Sequence, residues 1–352
     1  MKHLLICIAT VCTLSIVASC NRENDTLGKD ITIPVTVEEV KPGVIEEYTE
    51  VNGAVKPVME VQLKAEIAGN YRLVVNPATG KPYALGDRVK AGAEIIEISD
   101  KEYENNIKLS SLRLSLEITK QVFDKQTALY EMGGVTLSEL KNAEINYINA
   151  NYSYEDALLR LDKLHIRSPF DGVIIDLPYY TPGVKIETGS SLVKLMDYSK
   201  LLMEVNLPEK SMGRIKPGQK VRVTNYTVEG DTFPGTVNQL SPAIDPDTRS
   251  YKGYILINNP ALKLRPGMYV KSEIIVASSS DAIVIPKEVV VSKQRGNSVF
   301  VVEKGIAYER VVEFGLENPR EVEIISGLNK ADRLVVKGFE TLRDKSKVKE
   351  MK

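Results

Sequence analysis

At 352 residues the chain is too long for one ordinary compact core, and its weakly periodic segments call for several small domains in series. Its 46 basic and 47 acidic residues nearly cancel, aromatic side chains make up 6% of the sequence and tryptophan is absent. That balance excludes the basic footprint and the stacking platform of a nucleic-acid binder and leaves proteins as the expected partners.

Residues 1–19 read as a targeting segment: Lys2 and His3 precede an apolar run from Leu4 to Val17, followed by Ala18, Ser19 and Cys20. The run falls short of the ~20 apolar residues that a membrane-spanning helix needs. Small residues directly before a cysteine resemble a bacterial lipobox, in which Cys20 becomes the lipidated first residue of the mature chain and residues 20–30 a polar tether. Acyl chains on Cys20 would hold the protein to a membrane, each buried methylene contributing ~0.8 kcal/mol. The other reading is an ordinary secretory signal with an incidental cysteine. Cys7 and Cys12 lie in the removed segment, which leaves no disulfide framework and no thiol for catalysis or metal binding.

Two extended strands follow, Ile31–Val37 and Val44–Val55, with Lys41-Pro42-Gly43 as the turn between them. Beyond them a ten-residue pattern occurs twice, as Gly86, Val89, Gly92, Ile95 and again as Gly183, Ile186, Gly189, Leu192. Each copy has an upstream glycine, Gly69 and Gly172, so each reads as half of a small β-domain. A half-sheet with alternating apolar residues cannot bury its inner face alone, so residues 61–99 and 165–198 are expected to complete each other. Val75–Tyr83, turn-rich and present only in the first half, reads as a loop insertion.

Between the halves, residues 100–164 contain no proline, and their only glycines are Gly133 and Gly134. The composition predicts two helices joined by one turn. Apolar residues at helical spacing mark an expected seam: Ile107, Leu114, Ile118, Val122 and Leu129 outward, then Leu137, Leu140, Tyr147, Tyr154, Leu158 and Leu161 on the return. Arms of about thirty residues would extend roughly 45 Å as a coiled-coil hairpin. The competing reading, two helices of a globular bundle, is disfavoured by polar residues at Ser111, Gln121 and Asn151 and by the lack of another long helix to pack on. Thr136 with Glu139 three residues on forms a capping box at the start of the second helix.

Residues 199–277 are strand-rich and hold two proline-glycine turns, at Gly218 and Gly267; with residues 46–60 they predict a small β-barrel. Residues 281–352 are again short strands, and the strand at 31–37 is expected to join them, residues 31–45 and 281–352 forming one domain. Gly86, Gly92, Gly183, Gly189, Gly218 and Gly267 are read as structural turn residues. The fold class is multidomain and mainly β: a split lipoyl-like (barrel-sandwich hybrid) domain, a small barrel and a terminal β-domain around one α-helical hairpin.

No chemistry is legible. His165 is the one histidine of the mature chain, which leaves no second ligand for a metal set, and neither a Walker loop nor a dinucleotide fingerprint occurs. No cofactor, no metal and no catalytic residue are expected.

This arrangement, together with Leu264-Arg-Pro-Gly-Met268 and Asp245-Pro-Asp-Thr-Arg249-Ser, resembles the periplasmic adaptor subunits, or membrane fusion proteins (HlyD-like), of tripartite efflux systems of the resistance-nodulation-division (RND) type. The resemblance implies a non-catalytic, lipid-anchored periplasmic protein. It would bridge an inner-membrane RND pump and an outer-membrane channel of the TolC type, hexamerising so that the hairpins form a tube. The domain of residues 31–45 and 281–352 would lie nearest the membrane. The family's channel-docking signature, arginine, leucine four residues on and serine seven further, corresponds here to Lys125, Leu129 and Thr136, beside the Gly133-Gly134 turn. Lysine cannot make the planar bidentate contacts of arginine, which bears on tip affinity. The alternatives are an adaptor of an ABC-type exporter, a lipoyl or biotin carrier, and a surface binding lipoprotein. A carrier would keep a modified lysine in the turn between the halves, where this chain has its hairpin and neither an Asp-Lys-Ala nor a Met-Lys-Met motif.

Overall fold

The computed structural model describes residues 32–351 apart from 179, 180, 294 and 295. The leader, the lipobox and Cys20 lie outside the described residues. The described residues form two compact units, one of Thr49–Ile274 and one joining those before Thr49 with those from Ile275 onward.

Within Thr49–Ile274 the two glycine-marked halves build two four-stranded layers, and each layer takes two strands from each half. One runs His165–Arg167, Glu94–Ser99, Gly69–Leu73, Lys185–Ile186; the other runs Arg88–Val89, Gly172–Asp176, Ser191–Pro208, Pro42–Lys64, the last two through their segments near 191–196 and 59–64. Their inner faces share one core around Tyr71, Ile95, Ile96, Ile98, Ile174, Leu192 and Leu195. The repeat is therefore an internal two-fold in which each half completes the sheet of the other.

The glycine turns form the clasps. Gly86 N–H donates to Ile174 C=O (2.8 Å) and Ile174 N–H donates back to Asp87 C=O (3.0 Å). The equivalent turn repeats this with Tyr71: Gly183 N–H reaches Tyr71 C=O (3.0 Å) and Tyr71 N–H reaches Val184 C=O (3.0 Å). Gly92 and Gly189 grip Ser168 and Ala65 in the same way, and in the barrel Gly218 and Gly267 grip Val237 and Val55. All six have φ between +79° and +89°.

The barrel closes through Tyr269–Pro286, Lys220–Asn225, Val228–Asp245, Ser250–Asn258, Ser191–Pro208 and Pro42–Lys64, the last pairing back to the first. Alternation sends Val55, Leu201, Met203, Leu207, Val223 and Ile257 inward, each fully buried. In the other unit, Ile33–Glu39 lies between Arg333–Lys337, antiparallel, and Ser346–Met351, parallel. Gly296–Glu303 pairs with both Ile306–Val311 and Arg333–Lys337, so that small sheet also closes.

Two expectations are corrected. The turn placed at Lys41–Gly43 is a break at Val40 and Lys41 only, since Pro42 and Gly43 already belong to the strand Pro42–Lys64. Proline is tolerated at the first strand position, where its missing donor costs least. Nor is the outward arm of the hairpin one helix. It consists of α1 (Lys101–Ile107) and α2 (Leu109–Glu131), separated by Lys108 at φ +52°, while the return arm is the unbroken α3 (Leu137–Asp162). Asn105 and Asn106, weak helix formers, precede the break.

Candidate functional site

The hairpin presents two long helices whose outer sides are exposed. Asp100 caps α1, its carboxylate accepting from the N–H groups of Glu102 and Tyr103 at 3.0 Å. Tyr103 and Leu161 pack against the core of the split domain, and the Tyr103 hydroxyl donates to Arg160 C=O (3.3 Å), so the root of the hairpin is anchored.

Above the root, α2 and α3 pack on each other, but not through the expected face of α2. Its inward residues are Leu109, Leu112, Leu116, Thr119, Phe123 and Gln126; those of α3 are Leu140, Ala143, Tyr147, Ala150, Tyr154, Ala157 and Leu161. Both sets alternate steps of three and four residues, as a coiled-coil seam does. Phe123 and Tyr147 stack at 5.7 Å across it. Leu114, Ile118 and Val122, expected in the seam, are 57%, 51% and 46% exposed, and Leu137 and Leu158 also face solvent. Ser111 and Gln121 are exposed, and of the polar residues expected there only Asn151 sits half-buried. The physical reason is that the seam is built partly from Ala, Thr and Gln, so a search for large apolar residues follows a second, outer stripe instead. A separate outer set lies on α3: Ile145, Ile148, Tyr152 and Leu159.

At the tip, α2 ends at Glu131; Gly133 takes φ +75°, and the N–H groups of Gly133 and Gly134 return to Tyr130 C=O (2.9 Å) and Leu129 C=O (2.8 Å). Thr136 starts α3 with a complete capping box: its Oγ1 accepts from Glu139 N–H (3.3 Å), and the Glu139 carboxylate accepts from Thr136 N–H (2.7 Å) and its hydroxyl (2.8 Å). Those bonds, the backbone one foremost, hold the Glu139 carboxyl below its ordinary pKa. Lys125 is exposed, and Leu129 is half-buried with Cδ2 3.8 Å from where a Cβ on Gly134 would stand. Lys125, Leu129 and Thr136 thus flank one turn, but Thr136 is already committed to its cap. Sequence reasoning passed over Met132, 75% exposed at the apex, and the exposed Tyr130; nothing in the local pattern singles them out.

At the foot of α3, His165 Nδ1 lies 2.8 Å from Glu94 Oε1, both half-buried, a pairing between the two halves of the split domain. Among the described residues no group of three His, Cys, Asp or Glu could hold a metal ion, and no helix is long and apolar enough to cross a membrane.

Known proteins share this architecture. Residues 201–278 match the CusB-like beta-barrel domain family, and residues 281–341 match the C-terminal permuted SH3 domain of RND membrane fusion proteins. The macrolide export protein MacA of Escherichia coli O157:H7 is 24% identical over 349 residues, covering 88% of this chain and 91% of MacA. The cobalt-zinc-cadmium resistance protein CzcB of Cupriavidus metallidurans is 22% identical over 72% of this chain, which spans about half (51%) of CzcB. A MacA-MexA chimeric protein carrying the Pseudomonas aeruginosa MexA α-hairpin domain has a TM-score of 0.53 at 25% identity, over 85% of this chain and 99% of the chimera. The barrel and the C-terminal domain are thus of the kinds that RND membrane fusion proteins carry, and the relatives along most of the chain include a macrolide export protein.

Proposed function

We propose that this chain is the adaptor of an RND-type tripartite system, anchored to the inner membrane through lipidated Cys20, hexamerising, and joining an RND pump to an outer-membrane channel so that small molecules leave through a sealed conduit. The observation that supports it best is the hairpin. A seam of its own holds it together, its root is fixed in the split domain, and both α2 and α3 keep apolar residues on their outer sides, Ile118 and Val122 on one and Ile148 and Tyr152 on the other. A monomer has no use for such stripes, which mark contact with further protein. Unlike stripes that meet around an axis close a ring. Lys125, Leu129 and Thr136 are then the tip residues that meet the channel. The two family matches, one in the barrel and one in the C-terminal domain, favour the RND class.

Mild crosslinking of the tagged chain in cells, followed by purification, tests the reading. It should recover an RND pump and a channel, and Leu129→Asp should lose the channel while keeping the pump, with helix content unchanged. Recovery of an ATP-binding transporter in place of the pump would replace the RND assignment by the ABC-type alternative.

A further inference from the structure

Two strands pass from the split domain into the barrel without a break, Pro42–Lys64 and Ser191–Pro208. Their ladder is regular on both sides of one point. On the barrel side Lys56 faces Leu202 and Pro57 faces Leu201; on the other side Met59 faces Asp197 and Glu60 faces Met196. Between these pairs Val58 alone stands opposite Tyr198, Ser199 and Lys200. Unequal numbers of residues across a ladder leave backbone groups unpaired and let the strands bend, and Pro57 removes one donor at the same place.

Two carbonyls there are taken by one residue of the barrel, one by its side chain and one by its backbone. Asn259 is 1% exposed. Its backbone N–H donates to Ser199 C=O (2.8 Å), and its Nδ2 donates both to Tyr198 C=O (2.9 Å) and to Leu264 C=O (2.8 Å). Its Oδ1 accepts from Leu264 N–H (3.1 Å), so every donor of the amide is used and its oxygen is engaged. Open clefts lie on both sides of this contact. One of about 510 Å³ is lined by Ala78, Lys90, Met196 and Leu262, and one of about 650 Å³ by Lys200, Phe233, Asn258 and Ala261; Ser199 and Pro260 border both. The joint therefore has an irregular ladder, free volume on either flank and a single buried amide tying it to the barrel.

We propose that residues 57–59 and 197–201 form a hinge between the split domain and the barrel, and that Asn259 is the latch that sets its angle. Releasing the Nδ2 bonds frees the Tyr198 carbonyl and lets the split domain, with the hairpin it carries, rock against the barrel. This holds whichever transporter the chain serves.

Pulsed electron spin resonance on the full-length chain, its three native cysteines replaced by serine, tests the latch. One pair of spin labels spans the joint, at Lys185→Cys and Lys220→Cys; a control pair lies within the barrel, at Lys220→Cys and Lys252→Cys. Asn259→Ala removes the amide, and Asn259→Asp keeps an acceptor for Leu264 N–H while losing both Nδ2 donors. With either substitution the distance distribution across the joint should broaden about twofold while the barrel pair keeps its parental width. An unchanged distribution across the joint would overturn the proposal. So would equal broadening of both pairs, which would show that Asn259 holds the barrel itself.

Discussion

Gly267 takes φ +89°, and a Cβ added there would meet nothing within 4 Å. Any harm from a larger residue must therefore come from the backbone conformation, which puts the Gly267 N–H 2.8 Å from Val55 C=O and allows the return bond from Val55 N–H to Met268. An L-residue in that region costs ~1–2 kcal/mol, and a β-branched one has fewer rotamers to relieve the strain. Gly267→Val is expected to lose about 2 kcal/mol, roughly 4–8 °C in unfolding temperature for a unit of this size. Gly267→Asn, whose side chain tolerates positive φ, should lose less than half as much. Calorimetry on both variants decides the point, and equal losses would refute the conformational account. Gly69 shows why residue type alone underdetermines the cause. Its φ is not positive, but a Cβ would stand 2.5 Å from Ile98 Cγ2 and 3.1 Å from Ser99 C=O. Gly267 is kept for its dihedral and Gly69 for closeness, and in the sequence the two look alike.

Elements whose geometry is written in a few adjacent residues are legible in the sequence alone. The glycine turns and the Thr136–Glu139 box are of this kind, because their hydrogen bonds need only residue types at fixed short offsets. Features settled by a partner segment are not. The break at Lys108 goes with the burial of Ile107 beside it, and the irregularity at Val58 depends on residues of another strand. The hairpin seam is the clearest case, since α2 offers two apolar stripes and the evenly spaced one without polar members faces outward. Which stripe does the packing can be measured. Leu116→Ser, on the half-buried inner face, should destabilise the hairpin by about 1–2 kcal/mol, lowering the midpoint of the helical signal in thermal melts. Leu114→Ser, 57% exposed, should leave it within about 0.5 kcal/mol of the parent. The reverse order would mean that the seam uses the other stripe.

Through the whole polypeptide, closure by distant segments recurs. Ile33–Glu39 is held between strands that begin at Arg333 and Ser346, the barrel joins Glu50 to Lys271, 221 residues apart, and the split domain clasps residues on both sides of the hairpin. Such long-range pairings make folding slow, and they leave the hairpin as the segment stabilised mainly by local contacts. It is also where apolar side chains are left outside in rows. If those rows join one copy to the next, charge placed in them should disrupt assembly and leave the fold alone. Ile118 and Ile148 are 51% and 41% exposed and lie on different helices, so Ile118→Lys with Ile148→Lys tests both rows at once. Losing the burial of even one isoleucine, about 1.5–3 kcal/mol, weakens association about tenfold or more. Sedimentation velocity should then show the double variant shifted toward monomer at concentrations where the parent self-associates, with the same helix content and the same unfolding midpoint. Parental self-association in a variant folded to the same extent would remove the stripes from the interface and place the contacts between copies elsewhere on the chain.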